Sequence, residues 1–208
     1  GHIINLHPWE HNEVAPALAA SLSTDVPIIA LHLTRPPVEI PDRKQLGMSS
    51  HLDASKGAYV IKDFDEKGEK KGVVIVRGTS STNSIVNLLD ILRKENLNVK
   101  IVAAISWELF KRQSEEYQKT IISDIEWLDS MIVTNGALRL MHKWIGGKIV
   151  EDYSMSPDFD NRWRTGGSVD EIVAESKIDS LSVLDGIKKF VNERDKRMAA
   201  ISSSLPKA

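Results

Sequence analysis

The 208-residue sequence has no cysteine. That excludes disulfides, thiolate metal sites and cysteine nucleophiles, and it is compatible with a reducing cytosol. It also has no excess of one charge, since 27 Lys and Arg stand against 29 Asp and Glu. A global attraction to nucleic acid or an anionic membrane is therefore excluded. No apolar stretch approaches the ~18 residues of a membrane span, and no signal-peptide pattern opens the chain. Internal repeats and low-complexity tracts are absent too. What is present is 41% hydrophobic and 27% charged residues, ordinary values for a chain with a real core.

The organising stretch runs from Lys71 to Ile105. Val73 to Val76 is a β-branched apolar run, which reads as a strand buried on both faces. Gly78-Thr79-Ser80-Ser81 breaks it and supplies hydroxyls suited to a helix N-terminus. Ile85, Leu88, Leu89 and Leu92 then repeat at helical spacing, and Val99 to Ile105 is a second apolar strand. Strand, helix and strand make a βαβ unit with a right-handed crossover.

Residues 1–45 are unlike the rest. Pro8 holds His7 out of the α region. Asn12 is placed to cap a helix carrying Ala15, Leu18, Ala19 and Leu22, and Val26 to Leu33 reads as a strand. Pro36, Pro37 and Pro41 then make a stiff linker. One helix and one strand cannot cover both faces of a sheet layer. These residues therefore read as the end of a domain whose body is not in the sequence, and the chain reads as a fragment.

Beyond the linker, Gly57 to Ile61 is expected as a strand, Trp107 to Lys111 as a helix capped by Ser106, and Gln113 to Ile122 as a helix with Ser114 as a cap. Met131 to Thr134 is the next strand and Leu138 to Ile145 is amphipathic. Lys148 to Val150 is expected as a final short strand. Ser168-Val169-Asp170-Glu171 is a capping box, and Val183, Leu184, Ile187, Phe190 and Val191 mark the face of a last helix ending near Arg197. Residues 199–208 read as a frayed tail. This alternation gives an α/β domain with a mainly parallel sheet flanked by helices.

Several residues could bear chemistry. Gly78, Thr79, Ser80 and Ser81 lie where a strand feeds a helix, a place for an anion or for plain capping. There is no GxGxxG and no P-loop lysine. His7 and His11 have metal-ligand spacing, which Pro8 deprives of its meaning. Trp107, Phe110 and Tyr117 read as a core or interface stripe. Arg35 follows a strand at the edge where ligands gather in open α/β sheets, with Pro36 and Pro37 stiffening it. Its guanidinium suits either a phosphate or a bridge between domains. No motif unites a nucleophile, a base and an orienting partner.

Several stretches together resemble the end of a transketolase. Trp9 to Val14 is similar to that family's Arg-Pro-Ala-Asp-x-Asn-Glu segment, with Asn12-Glu13 as the shared pair. Ile28 to Leu31 through Thr34-Arg35 resembles its strand ending in Ser-Arg-Gln. Ser55-Lys56-Gly57-Ala58-Tyr59-Val60 matches the opening of its C-terminal domain. Ser106 to Phe110 with Gln113 to Tyr117 follows a further family pattern. The similarity runs from about Pro8 to Val191. Departures are Pro36 for Gln, Arg77 to Ser81 for Ala-Thr-Gly-Ser-Glu, and Tyr153-Ser154 for Phe-Gly.

The resemblance implies a thiamine-diphosphate- and Mg2+-dependent transfer of a two-carbon ketol unit between sugar phosphates, in a homodimer. It makes residues 1–45 the end of the pyrimidine-binding domain and 46–198 a three-layer C-terminal domain. The catalytic, cofactor and metal ligands are expected upstream of this chain, which by itself is expected to be inactive. Of its residues only Arg35 would reach the substrate, at the phosphate. Deoxyxylulose-phosphate synthases and the β chains of 2-oxo acid dehydrogenases end in the same fold. A stand-alone interaction or effector-binding module is the alternative of another class.

Overall fold

A computed structural model describes residues 2–34, 37–164 and 166–204. Arg35 and Pro36 lie outside the described residues. Two sheets form. In the first, β1 (Ile3–Leu6) pairs in parallel with β2 (Ile28–Leu31), joined through a 3-10 turn, His11–Glu13, and α1 (Val14–Leu22). The cap of that turn is Glu10, whose side chain accepts from the Asn12 N–H, so Asn12 is not the cap. α1 buries Ala17 and Ser21, while Leu22 of the expected stripe is exposed. β1 was not apparent in the sequence.

After the proline segment come α2 (Arg43–Leu46) and a 3-10 turn, His51–Lys56, which leads into β3 (Ala58–Lys62). β4 (Val73–Arg77) feeds α3 (Thr79–Val86) and α4 (Leu89–Lys94), which return the chain to β5 (Lys100–Ala104). Three short helices, α5 (Trp107–Phe110), α6 (Glu115–Ile121) and α7 (Asp124–Leu128), precede β6 (Ser130–Thr134). The second sheet has the order β3-β5-β4-β6, with β4 parallel to both neighbours and β3 antiparallel at one edge. Every residue of β4, β5 and β6 is buried. Such strands read as unbroken apolar runs because helices cover both faces.

Alternation along β4 divides the core. Val74 and Val76 face a cluster with Ile85, Leu89, Ile187 and Phe190, whereas Val73 and Ile75 face Phe110, Ile121, Met141 and Trp144. Phe110, Trp107, Trp127 and Trp144 interlock there, the closest ring centroids 5.1 Å apart. Trp107 and Phe110 are thus core residues. Tyr117 packs against the same cluster and donates to the Ala58 carbonyl.

The last third departs from expectation twice. Lys148 to Val150 does not form a strand. It opens α8 (Lys148–Tyr153), whose inward residues, Val150 and Tyr153, are three apart as on a helix face. Parallel pairing beyond β6 comes instead from Met155, bridged to Val133. After α9 (Val169–Glu175) and α10 (Ser180–Asn192), the chain does not fray at residue 199. α11 (Arg194–Ser204) continues to the end of the described residues and buries Ile201. Arg197 anchors it, fully buried, 3.6 Å from the Phe190 ring and paired with Asp129 at 2.7 Å.

Candidate functional site

The carboxyl ends of β1, β2, β4 and β5 converge on a cleft of about 240 Å3, lined among others by Asn5, His7, His32, Arg77, Glu108 and Lys143. Open α/β sheets receive ligands at this edge. Arg77 is the last residue of β4 and only 8% exposed. Its Nη1 donates to the Leu140 carbonyl at 3.0 Å, and among the described residues no carboxylate pairs with it. Burial lowers its pKa to about 10, so it stays charged at neutral pH.

Two imidazoles stand beside it. His7 follows β1 and His32 follows β2; their rings stack 4.3 Å apart at 8°. The His7 N–H donates to the Ile105 carbonyl at 2.8 Å, which fastens β1 to the end of β5. His32 Nε2 lies 3.3 Å from Asn5 Oδ1. His7 lines this cleft, whereas His11 lines another, with Ala15, Ala19 and Leu52. Burial, then the charge of Arg77, then His32 lower the His7 pKa to about 3. Glu108 closes one side, accepting from Lys143 at 2.9 Å and from the Asn5 N–H at 3.2 Å. Burial pushes its pKa up, but these donors outweigh it and the net direction is down.

The His7 shift makes a prediction. Its folded pKa, about 3, lies below its ordinary 6.5, so on acidification the unfolded chain takes up the proton first. Stability is full above pH 6.5 and is lost as the pH falls towards 3, by at most ~1.4 kcal/mol per pH unit. Between pH 7 and 5 His7 is expected to account for up to ~2 kcal/mol. Urea unfolding at both pH values should show a smaller loss for His7→Asn than for wild type. Equal losses would mean that His7 is solvated.

A second polar cluster lies where residues 1–45 meet the larger sheet. Arg43 Nη2 reaches Glu10 at 2.9 Å and Glu13 at 2.7 Å, and its Nη1 donates to the Tyr59 hydroxyl at 3.2 Å. Glu13 also accepts from the Trp9 N–H at 3.0 Å and from the Tyr59 hydroxyl. Trp9 Nε1 donates to Tyr59 at 2.8 Å. Burial pushes the Glu13 carboxyl up, against the pull of Tyr59, Trp9 and Arg43, and burial pushes Tyr59 up as well.

The Gly78–Ser81 stretch is placed differently from the capping expectation. Gly78 occupies the cap position with φ +93°, and a Cβ there would lie 1.8 Å from Asn135 Oδ1. The Ser81 hydroxyl donates to the Arg77 and Gly78 carbonyls at 2.6 and 3.1 Å, and Thr82 donates to the Gly78 carbonyl at 2.7 Å. These hydroxyls therefore turn back on carbonyls and do not receive helix N–H groups. Thr79 and Ser80 line a separate cleft of about 500 Å3 with Thr34 and Pro37, the described neighbours of Arg35. Asp170 and Asp179 line it too, which places negative charge where an anion would sit.

Residues 57–153 match the family model described as the transketolase-like TK C-terminal domain. They are a transketolase-like C-terminal domain. The chain is 38% identical over 122 residues to transketolase 7 of Craterostigma plantagineum, covering 58% of this chain and 17% of that protein. It is 30% identical over 148 residues to the chloroplastic transketolase of Spinacia oleracea, covering 71% and 19%. The chain thus spans about a fifth of the length of these relatives. A transketolase mutant structure from Pichia stipitis superposes with a TM-score of 0.69 at 20% identity, over 92% of this chain and 25% of that one. The transketolase of Leishmania mexicana gives 0.68 at 19%, over 93% and 26%. At such identities the likeness establishes the transketolase fold of the α/β unit.

Among the described residues no group of three or more His, Asp or Glu could hold a metal, and no helix is long and apolar enough to cross a membrane. The donor set of the cleft, Arg77 and Lys143 with two imidazoles, repels a divalent cation. Mg2+ does not fit there.

Proposed function

We propose that this chain is the C-terminal part of a cytoplasmic, homodimeric transketolase that moves a two-carbon ketol unit between sugar phosphates. The observation that carries this reading is the match of residues 57–153 to the transketolase-like C-terminal domain, beside relatives themselves named transketolases. On this reading residues 1–45 end the pyrimidine-binding domain and residues 46–198 are the C-terminal domain. Thiamine diphosphate and Mg2+ are then held by the remainder of the enzyme. Purified alone, the chain should show no magnesium-dependent binding of thiamine diphosphate in titration calorimetry. Tight binding that requires magnesium would overturn the assignment of the cofactor site to other segments.

Arg35 is the proposed contact with substrate. It follows β2 within a proline-stiffened segment and resembles the arginine of the family's Ser-Arg-Gln motif. A guanidinium there would clamp the terminal phosphate, remote from the reacting carbonyl. Such a bond contributes ~1.5–3 kcal/mol, so Arg35→Ala in the complete enzyme should raise KM for a sugar phosphate roughly ten- to a hundredfold. kcat should stay nearly intact if the clamp serves ground and transition states alike. Arg35→Lys should recover part. An unphosphorylated analogue should respond to neither change, and equal losses for both substrates would make Arg35 a bridge between domains.

A further inference from the structure

We propose that the cleft between β1, β2, β4 and β5 is a binding site for the phosphoryl group of a small anion, held by Arg77 with His7 and His32. A buried guanidinium without a carboxylate is costly to keep, and buried charges in folded chains are ordinarily paired. Here only Arg77 Nη1 has a partner, a neutral carbonyl, so among the described residues Nε and Nη2 have none.

The rest of the wall agrees with this. The stacked imidazoles of His7 and His32 are in the same cleft, and an imidazole offers an N–H donor in either protonation state. A planar guanidinium with a free edge suits the paired oxygens of a phosphoryl group. Glu108 is the one carboxylate of the lining, and Lys143 together with the Asn5 N–H occupies both its oxygens. His142, the remaining titratable group there, has Nδ1 near the Arg139 carbonyl. At about 240 Å3 the cleft is below the ~300–1,000 Å3 of sites that enclose drug-sized ligands. It has room for a phosphoryl end, with any longer body lying outside.

The proposal does not rest on the Arg35 reading. An anion here would touch both the ends of β1 and β2 and the end of β4, and so would hold the two sheets together.

The test is a proton NMR titration of the histidine ring signals of the 208-residue chain at pH 7 and constant ionic strength. The probes are inorganic phosphate, glycerol 3-phosphate and glycerol. The expected result is a saturable shift of His7 and His32 with both phosphates and none with glycerol. Tighter binding of glycerol 3-phosphate than of phosphate would identify a monoester as the ligand; equal binding would identify phosphate itself. Arg77→Gln, which removes the charge, should weaken binding roughly ten- to a hundredfold, and Arg77→Lys should recover part. Glu108→Gln should strengthen it by removing the one negative charge of the lining. Absence of a saturable shift in the wild-type chain would overturn the proposal whatever the variants do. So would unchanged affinity in Arg77→Gln, or loss of binding in Arg35→Ala with Arg77→Gln intact.

Discussion

Arg43→Ala is expected to lower unfolding stability by ~3–5 kcal/mol, because it strips the counter-charge from two buried carboxylates at once. Glu10 and Glu13 side chains are fully buried in the ion pairs with Arg43, whose own side chain is 10% exposed. The guanidinium also stacks over the Trp9 and Tyr59 rings, 5.6 and 5.4 Å from their centroids. The loss should depend on pH in a set direction. Glu13 already has a raised folded pKa, and removing Arg43 raises it further. Its contribution is therefore full below its ordinary value of 4.5 and is lost as the pH rises through the folded pKa. The variant should be relatively less impaired at acid pH, and adding Glu13→Gln should restore part of the stability at neutral pH. Guanidinium unfolding of single and double variants at two pH values measures this. A loss below ~1 kcal/mol would mean that water reaches both carboxylates.

Gly57→Ala should cost ~2–4 kcal/mol, although it adds a single methyl group. Gly57 has φ +84°, and its carbonyl accepts from the N–H groups of Ile105 and Ser106 at 2.9 and 2.8 Å. A Cβ would meet the Phe110 nitrogen at 2.3 Å and the Ser106 oxygen at 2.4 Å. Both are backbone atoms, so no side-chain rotation relieves the contact. Gly47 is the control: its φ is +68°, yet nothing lies within 4 Å of its Cβ position. Gly47→Ala should cost only the ~1 kcal/mol of left-handed backbone. Thermal unfolding of the two variants separates conformation from crowding. Equal losses would show that the β3–α5 junction can shift.

The βαβ core was legible because each of its signals is local. Val73 to Val76 is unbroken, and Ile85, Leu88, Leu89 and Leu92 are buried as their spacing requires. Ser106, Ser114 and Ser168 cap the helices expected of them. β1 was not legible, since four residues with Asn5 among them carry no periodic signal. Lys148-Ile149-Val150 misled because three apolar-rich residues cannot distinguish a strand from a turn of helix. The polar clusters were hidden for another reason. Glu13 and Tyr59 are 46 residues apart, and Arg77 and the Leu140 carbonyl 63, distances at which no spacing rule operates. One trace of the cleft was visible, a charged residue closing an otherwise apolar strand. Arg77 stood there, but nothing local showed that it lacked a counter-ion.

The bond from the Asn5 N–H to Glu108 spans 103 residues, and it imposes an order on the birth of the protein. β1 leaves the ribosome about a hundred residues ahead of the surface it docks on, which includes His7's partner Ile105 and Glu108 itself. Translation at ~5–20 residues per second makes the strand wait roughly 5–20 s for them. During that interval Ile4 and Leu6, wholly buried in the finished fold, have β2 beside them but lack the larger sheet they pack against. A chaperone that holds short apolar strands would find its opportunity in this window, before the larger sheet exists to receive them.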